Sequence, residues 1–234
     1  MILVDGRDFD SLRDVHVWTR QTRPDHVLVE ASGTIRGIGT SWTAPVALTV
    51  VGGLWTGWQD GARSPGWWLS FRSNAPLTLV DGQVRHYRTG GVDYGDPDRG
   101  HGRLTVRAWT WKRIGGDGYA AVFASDAAVL VHDCRFDRLE QSPNGGNLHA
   151  VYGVRSDVTV MDCRIGRVSG DPLRVRDGST LRVERVKARR SGYAALASAW
   201  RRPTEDPSEL DVRDVDPGKT YDRTRYALAY RTVR

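Results

Sequence analysis

The residues best suited to chemistry in this 234-residue chain lie between Leu148 and Tyr193. His149 and Tyr152 are three apart in Leu148-His-Ala-Val-Tyr-Gly153. Arg174 and Arg176 are two apart in Gly170-Asp-Pro-Leu-Arg-Val-Arg-Asp-Gly-Ser179. On an extended backbone that second spacing puts both guanidinium groups on one face. A pair of arginines neutralises a carboxylate and so lowers the barrier to removing the proton beside it; a neutral histidine or a tyrosine can accept that proton. Asp171 is placed to orient the arginines or the histidine. The same residues also suit a plainer role, an Arg–Asp ladder knitting neighbouring turns, with Gly170 and Pro172 making a corner.

What must position them is a repeat of variable period. The phrase apolar-x-apolar begins at Val27, Leu48, Leu77, Leu104, Val129, Val158, Leu181 and Leu210. The sixth position reads Ser32, Gly53, Gly82, Trp109, Cys134, Cys163, Val186 and Val215, and the eighth Thr34, Trp55, Val84, Trp111, Phe136, Ile165, Ala188 and Pro217. Inward positions one and three, then six and eight, mean two short strands separated by a bend. The fifth position carries Gly52, Asp81, Asp133, Asp162 and Asp214, residues that tolerate a left-handed backbone. A third strand-like run follows in most units. Stacked units of this size make a solenoid, so the expected fold is all-β: a single-stranded, right-handed parallel β-helix of about eight turns. One domain is expected over 1–234, with a cap and first strand in 1–26, repeat turns in 27–225 and a closing strand in 226–234. Asp8–Asp14 is the expected capping helix, and Tyr226–Tyr230 the closing strand.

With Leu173 and Val175 inward, Arg174 and Arg176 point out. Alternation in the preceding turn puts Ala150 and Tyr152 inward and His149, Val151 and Gly153 outward. Further members of the outward face are Asp93 two turns earlier, Asp117 between, and Trp68 and Arg72, which alternation places beside Ser70; Tyr193 is added as a substrate contact. Trp67 is read as cover for the solenoid.

Composition narrows the partners. A net charge of +6, nearly all of its base arginine, favours an anionic ligand. Acids are interspersed and no groove-reading motif is visible, so nucleic acid is not expected. No stretch is long and apolar enough for a membrane span, and the start carries no secretion signal, so a cytoplasmic protein is expected. Cys134 and Cys163 fall in one inward column and read as a buried thiol stack. No cofactor is expected and no histidine pairing suggests zinc. The loop carrying Asp93, Asp96, Asp98 and His101 offers oxygens to calcium as a lesser alternative.

The chain resembles the right-handed parallel β-helix superfamily of pectate-lyase-like proteins. The stretch His149-x-x-Tyr152 followed by Gly170–Ser179 is similar to turns of the alginate lyase and chondroitinase B branch. The resemblance implies the fold and action on acidic sugars, and Arg176, ahead of Asp177-Gly178, matches that branch's arginine. The chain departs from the branch in lacking a suitably placed lysine base, and the polygalacturonase aspartates and Asn-Thr-Asp motif are missing too. Three functions follow as expectations. The first is a lyase or epimerase acting next to a uronate carboxylate. The second is a biosynthetic cyclase, isomerase or dehydratase acting on a small molecule. The third is a non-catalytic binding or structural module of phage-tail or cell-surface type.

Overall fold

The computed structural model describes residues 2–4, 8–37, 39–59, 62–63, 66–116, 120–141, 147–192, 196–200, 205–217 and 219–220. The chain is an all-β parallel solenoid of about six turns, rather than eight, with one helix near its N-terminus. Each full turn contributes a strand to three strips.

The first strip stacks the strands that begin the repeat, and its register follows the apolar phrase: Val27, Leu48, Leu77, Leu104, Val129, Val158, Leu181 and Leu210 are successive partners. Val and Leu suit a pleated, half-buried surface, and each fully buried side chain contributes about 1.5–3 kcal/mol. The bend at position five is left-handed at Gly52, Asp81, Ala108, Asp133, Asp162, Arg185 and Asp214, with φ from 47° to 76°. After it comes the second strip, where Trp55, Val84, Trp111, Phe136, Ile165 and Ala188 stack inward. The two strips form one sheet, continuous through the long strand Ala47–Thr56. In the first unit the register shifts between Ala31 and Thr34, so Ile35, not Thr34, takes the inward place beside Trp55.

The third strip is a separate seven-stranded sheet: Thr40–Trp42, Trp67–Phe71, Gly90–Tyr94, Ala120–Ser125, His149–Val154, Leu173–Arg176 and Ala197–Trp200. The N-terminal helix is Leu12–Thr22, later and longer than the Asp8–Asp14 segment expected. Ser11 caps it by accepting from the Asp14 N–H at 3.3 Å, and Leu12, Val15 and Thr19 are buried. Acidic residues before the first turn favour the helix start, whereas the apolar positions that anchor it, Leu12 and Val15, lie beyond them. The closing strand expected at Tyr226–Tyr230 lies outside the described residues. No helix among the described residues is long and apolar enough to cross a membrane. Cys134 and Cys163 are free and buried in adjacent turns, the Cys134 N–H lying 3.4 Å from the Cys163 sulfur. Their mutual contact and burial push the Cys163 thiol well above its usual range.

An Arg–Asp ladder knits the turns at one corner of the solenoid. It runs along the corner between the third and first strips, where Asp126, Arg155 and Asp177 all have left-handed backbone. The Arg155 guanidinium spans three turns, 2.8 Å from Asp126 and 2.9 Å from Asp177.

Candidate active site on the third sheet

The outer face of the third sheet is set by an irregularity that alternation does not anticipate. Its strands turn two consecutive residues inward: Trp68 and Leu69, Ala121 and Val122, Ala150 and Val151 all belong to the core. At Ala150–Val151 the cause is visible, since both N–H groups donate to the Pro172 carbonyl, at 2.9 and 3.2 Å. This is a bulge, two residues facing one on the neighbouring strand. Residues on either side of the inward pair therefore both face out, which is how His149 and Tyr152 share a face although three apart.

Assignments on two of the strands change as a result. Tyr152, expected inward, pairs in register with Arg174 and stands outward, while Val151 and Gly153 pair with Leu173 and Val175 and point in. Trp68, expected as an outward substrate contact, is a core residue at 2% exposure, with Trp55, Trp109 and Trp111 ring centroids 5.5, 5.6 and 6.0 Å away. Its neighbour Trp67 is the outward ring. It lies across Gly90, where an added Cβ would come within 2.3 Å of the indole, and its centroid is 6.3 Å from Phe123.

One outward column thus reads Ser70, Asp93, Phe123, Tyr152, Arg174, Ser198 from turn to turn. Rungs about 4.8 Å apart put Asp93 two steps from Tyr152. Asp93 is buried against Arg72, 2.5 Å away, and accepts from the Ser70 hydroxyl at 3.3 Å. Burial raises its pKa against the opposing pull of Arg72 and Ser70. Asp93 and Arg72 are therefore on the face as expected, but paired to each other and separated from the histidine by Phe123. Asp96 instead caps the short helical turn Pro97–Arg99, accepting from the Asp98 N–H at 3.2 Å. Asp93 and Asp96 have separate partners, and among the described residues no group of three His, Cys, Asp or Glu could hold a metal ion. Asp117 and Tyr193 lie outside the described residues.

The chemistry converges around His149, 3% exposed. Its Nδ1 is 2.8 Å from the Asp171 carbonyl oxygen, which can only accept, so Nδ1 carries the proton of the neutral ring. Nε2 then holds a lone pair, and it accepts from the Arg174 guanidinium at 3.2 Å. Gly170 makes room for the ring: a Cβ there would lie 2.8 Å from His149 Cε1. The Asp171 carboxylate accepts from the Ser198 hydroxyl at 2.6 Å. Arg174 also lies over the Tyr152 ring, 5.3 Å from its centroid, and Tyr152 packs edge-on against His149 and Phe123 at 5.4 Å each. Arg176 hydrogen-bonds the Tyr152 hydroxyl, and its Nε is 3.6 Å from the Glu205 carboxylate. The structure brings together five residues expected from sequence, His149, Tyr152, Asp171, Arg174 and Arg176. It adds Phe123, Trp67, Ser198 and Glu205, none of which carried a motif.

Burial, aided by Arg174 and opposed by Asp171, lowers the His149 pKa from 6.5 to about 4. Burial also raises that of Tyr152, against Arg174 and Arg176. At neutral pH the site therefore holds a neutral imidazole and a protonated phenol beside two permanent cations. A stability effect follows. The unfolded chain binds the histidine proton below pH 6.5, whereas the folded chain resists it down to about 4. The stabilisation due to this group is complete above 6.5 and is lost as pH falls through that window. Urea midpoints measured at pH 7.5 and 4.5 should drop more for the wild type than for His149→Gln; equal drops would contradict the buried neutral ring.

No known protein family matches the chain, and neither a curated protein nor a solved structure is similar to it.

Proposed function

We propose that the third sheet carries the active site of an enzyme that removes the proton next to the carboxylate of an acidic sugar, a lyase or epimerase. The observation carrying this reading is the His149 Nε2 lone pair held 3.2 Å from Arg174, beside Tyr152 and Arg176. In the resting site Arg174 occupies the base. A substrate carboxylate competes for that guanidinium, draws it off Nε2, and brings a negative charge that raises the histidine pKa. The ligand that needs the base thus uncovers it.

In the elimination branch, Nε2 takes the proton from the carbon bearing the carboxylate, and the electron pair is held as an enolate against Arg174 and Arg176. That pair then forms a carbon–carbon double bond as the bond to the neighbouring ring oxygen substituent breaks. The departing oxygen takes the Tyr152 hydroxyl proton. In the epimerase branch the enolate instead takes a proton on its opposite face from the Tyr152 hydroxyl, and the proton left on Nε2 returns to the phenolate through solvent.

Burial of both His149 and Tyr152, at 3% and 4% exposure, favours a chain end or a small molecule over the middle of a long polymer. That gives specific support to the second reading, an enzyme of small-molecule metabolism. A screen of uronate monomers, oligomers and polymers with wild type and His149→Ala, following ultraviolet absorbance of the conjugated product and solvent deuterium uptake, tests both. Product or exchange with wild type alone supports the reading. Silence of the wild type towards every acidic sugar overturns it.

A further inference from the structure

The second strip carries a surface that the candidate site does not use. Its outward positions form a row at Thr110, Arg135, Arg164 and Lys187, stacked in register on successive turns. Three residues further along each turn, at the corner leading to the third sheet, stand Arg113, Arg138, Arg167 and Arg190. The Arg113 N–H donates to the Asp137 carbonyl at 3.0 Å, Leu139 bridges Val168, and Arg167 pairs with Arg190, which aligns the four. Arg113, Arg135, Arg138, Arg164, Arg167, Lys187 and Arg190 are all exposed. The row between them reads Lys112, Asp137, Gly166 and Arg189, with a single acid.

The cations therefore form two rails along the solenoid axis, repeating at the rung spacing of about 4.8 Å and separated by about 10 Å of strand. A globular anion or a single phosphate would use one or two of these groups. Only a linear ligand with a regularly repeated negative charge meets them all. Single-stranded nucleic acid is usually held by aromatic stacking platforms between the basic groups, and the outward positions of this strip carry no aromatic side chain. A uronate polymer carries one carboxylate per ring at a repeat close to one rung, and arginine forks suit carboxylates.

We infer that the rails hold an acidic polysaccharide lengthwise. This rests on the acidic-sugar reading of the site and extends it: Arg167, in the second rail, directly precedes Val168–Pro172, the segment that leads into Leu173–Arg176. A polymer held there can deliver its end to a buried site that does not admit its middle.

The test is binding of alginate and polygalacturonate across a salt series, with single- and double-stranded DNA as competing polyanions. Arg138→Glu/Arg164→Glu/Arg167→Glu should weaken polyuronate binding at low salt by on the order of tenfold or more and flatten its salt dependence. The neutral triple variant Arg138→Gln/Arg164→Gln/Arg167→Gln should show a smaller loss, and circular dichroism should show both folded. Arg107→Gln, an exposed arginine of the first strip outside both rails, should bind as the wild type does. Unchanged polyuronate binding in both folded triple variants overturns the inference, as does tighter binding of either DNA at equal salt. Polymer binding that depends on the rails, in a protein that transforms no acidic sugar, leaves the rails standing and removes the active-site reading alone.

Discussion

Trp68→Ala should lower stability by about 3–5 kcal/mol, the cost of emptying a fully packed indole site, and leave ligand binding at the third sheet unchanged. In a chain of this length that lowers the thermal midpoint by roughly 10 °C. Three indoles, Trp55, Trp109 and Trp111, surround Trp68, and close-packed neighbours of that size cannot collapse into the space. Trp67→Ala should do the opposite. Its ring lies outside, over Gly90 and towards Phe123, so its loss should cost little stability and weaken binding of a sugar that stacks there. Measured side by side, the two variants decide which of two adjacent tryptophans faces the core. A stable Trp68→Ala protein would place the inward pair of that strand one residue out of register.

Arg174→Ala should cut turnover of an acidic-sugar substrate by roughly 10²–10³-fold, the usual consequence of losing one donor to a developing oxyanion. The same change takes the cation away from Nε2, and since Arg174 helps depress the histidine pKa, that pKa should rise. Proton NMR of the His149 ring gives a second readout that needs no substrate. Tyr152 loses its overlying guanidinium but keeps the hydrogen bond from Arg176, so Arg174→Lys should not restore the fork geometry. An Arg174→Ala protein with unaltered histidine titration would mean that the resting contact at 3.2 Å does not govern the ring.

The first two strips were legible in sequence because alternation there is strict and the bend announces itself. Asp and Gly at the fifth position gave the left-handed corner, and Val27 to Leu210 stack as the phrase implies. Ala108 and Arg185 share that corner without a turn-forming type; the columns on either side, not their own chemistry, located them. The third strip was half legible. Arg174, Arg176 and His149 were placed correctly, but Tyr152 and Trp68 were not, because a bulge moves everything beyond it by one position. At Tyr152 the cause is two N–H groups, of Ala150 and Val151, sharing the Pro172 carbonyl of the next turn, a tertiary event with no local sequence mark. Ser198 and Glu205 were invisible for the same reason: only stacking brings them to Asp171 and Arg176. Trp67, expected as cover for the solenoid, instead lies on the outer face with its ring 6.3 Å from Phe123, a residue to which the sequence assigned no role.

The uneven composition of the core divides what an optical experiment can see. Trp42, Trp55, Trp68, Trp109 and Trp111 are buried in the N-terminal half, with Trp42, Phe71 and Tyr94 in a stacked column at 6.0 and 5.5 Å. Eight of the nine tryptophans lie at or before Trp111, the ninth is Trp200, and the core beyond Trp111 continues in Val, Leu, Ile, Ala, Cys and Phe136. A solenoid turn is held mainly by its immediate neighbours, so unfolding can begin at one end and travel. Tryptophan fluorescence would then report mainly on the N-terminal turns, with Trp200 as a single reporter towards the other end. The turns that carry His149, Arg174 and Arg176 contribute little to that signal, and their cooperativity with the rest is better followed by amide hydrogen exchange.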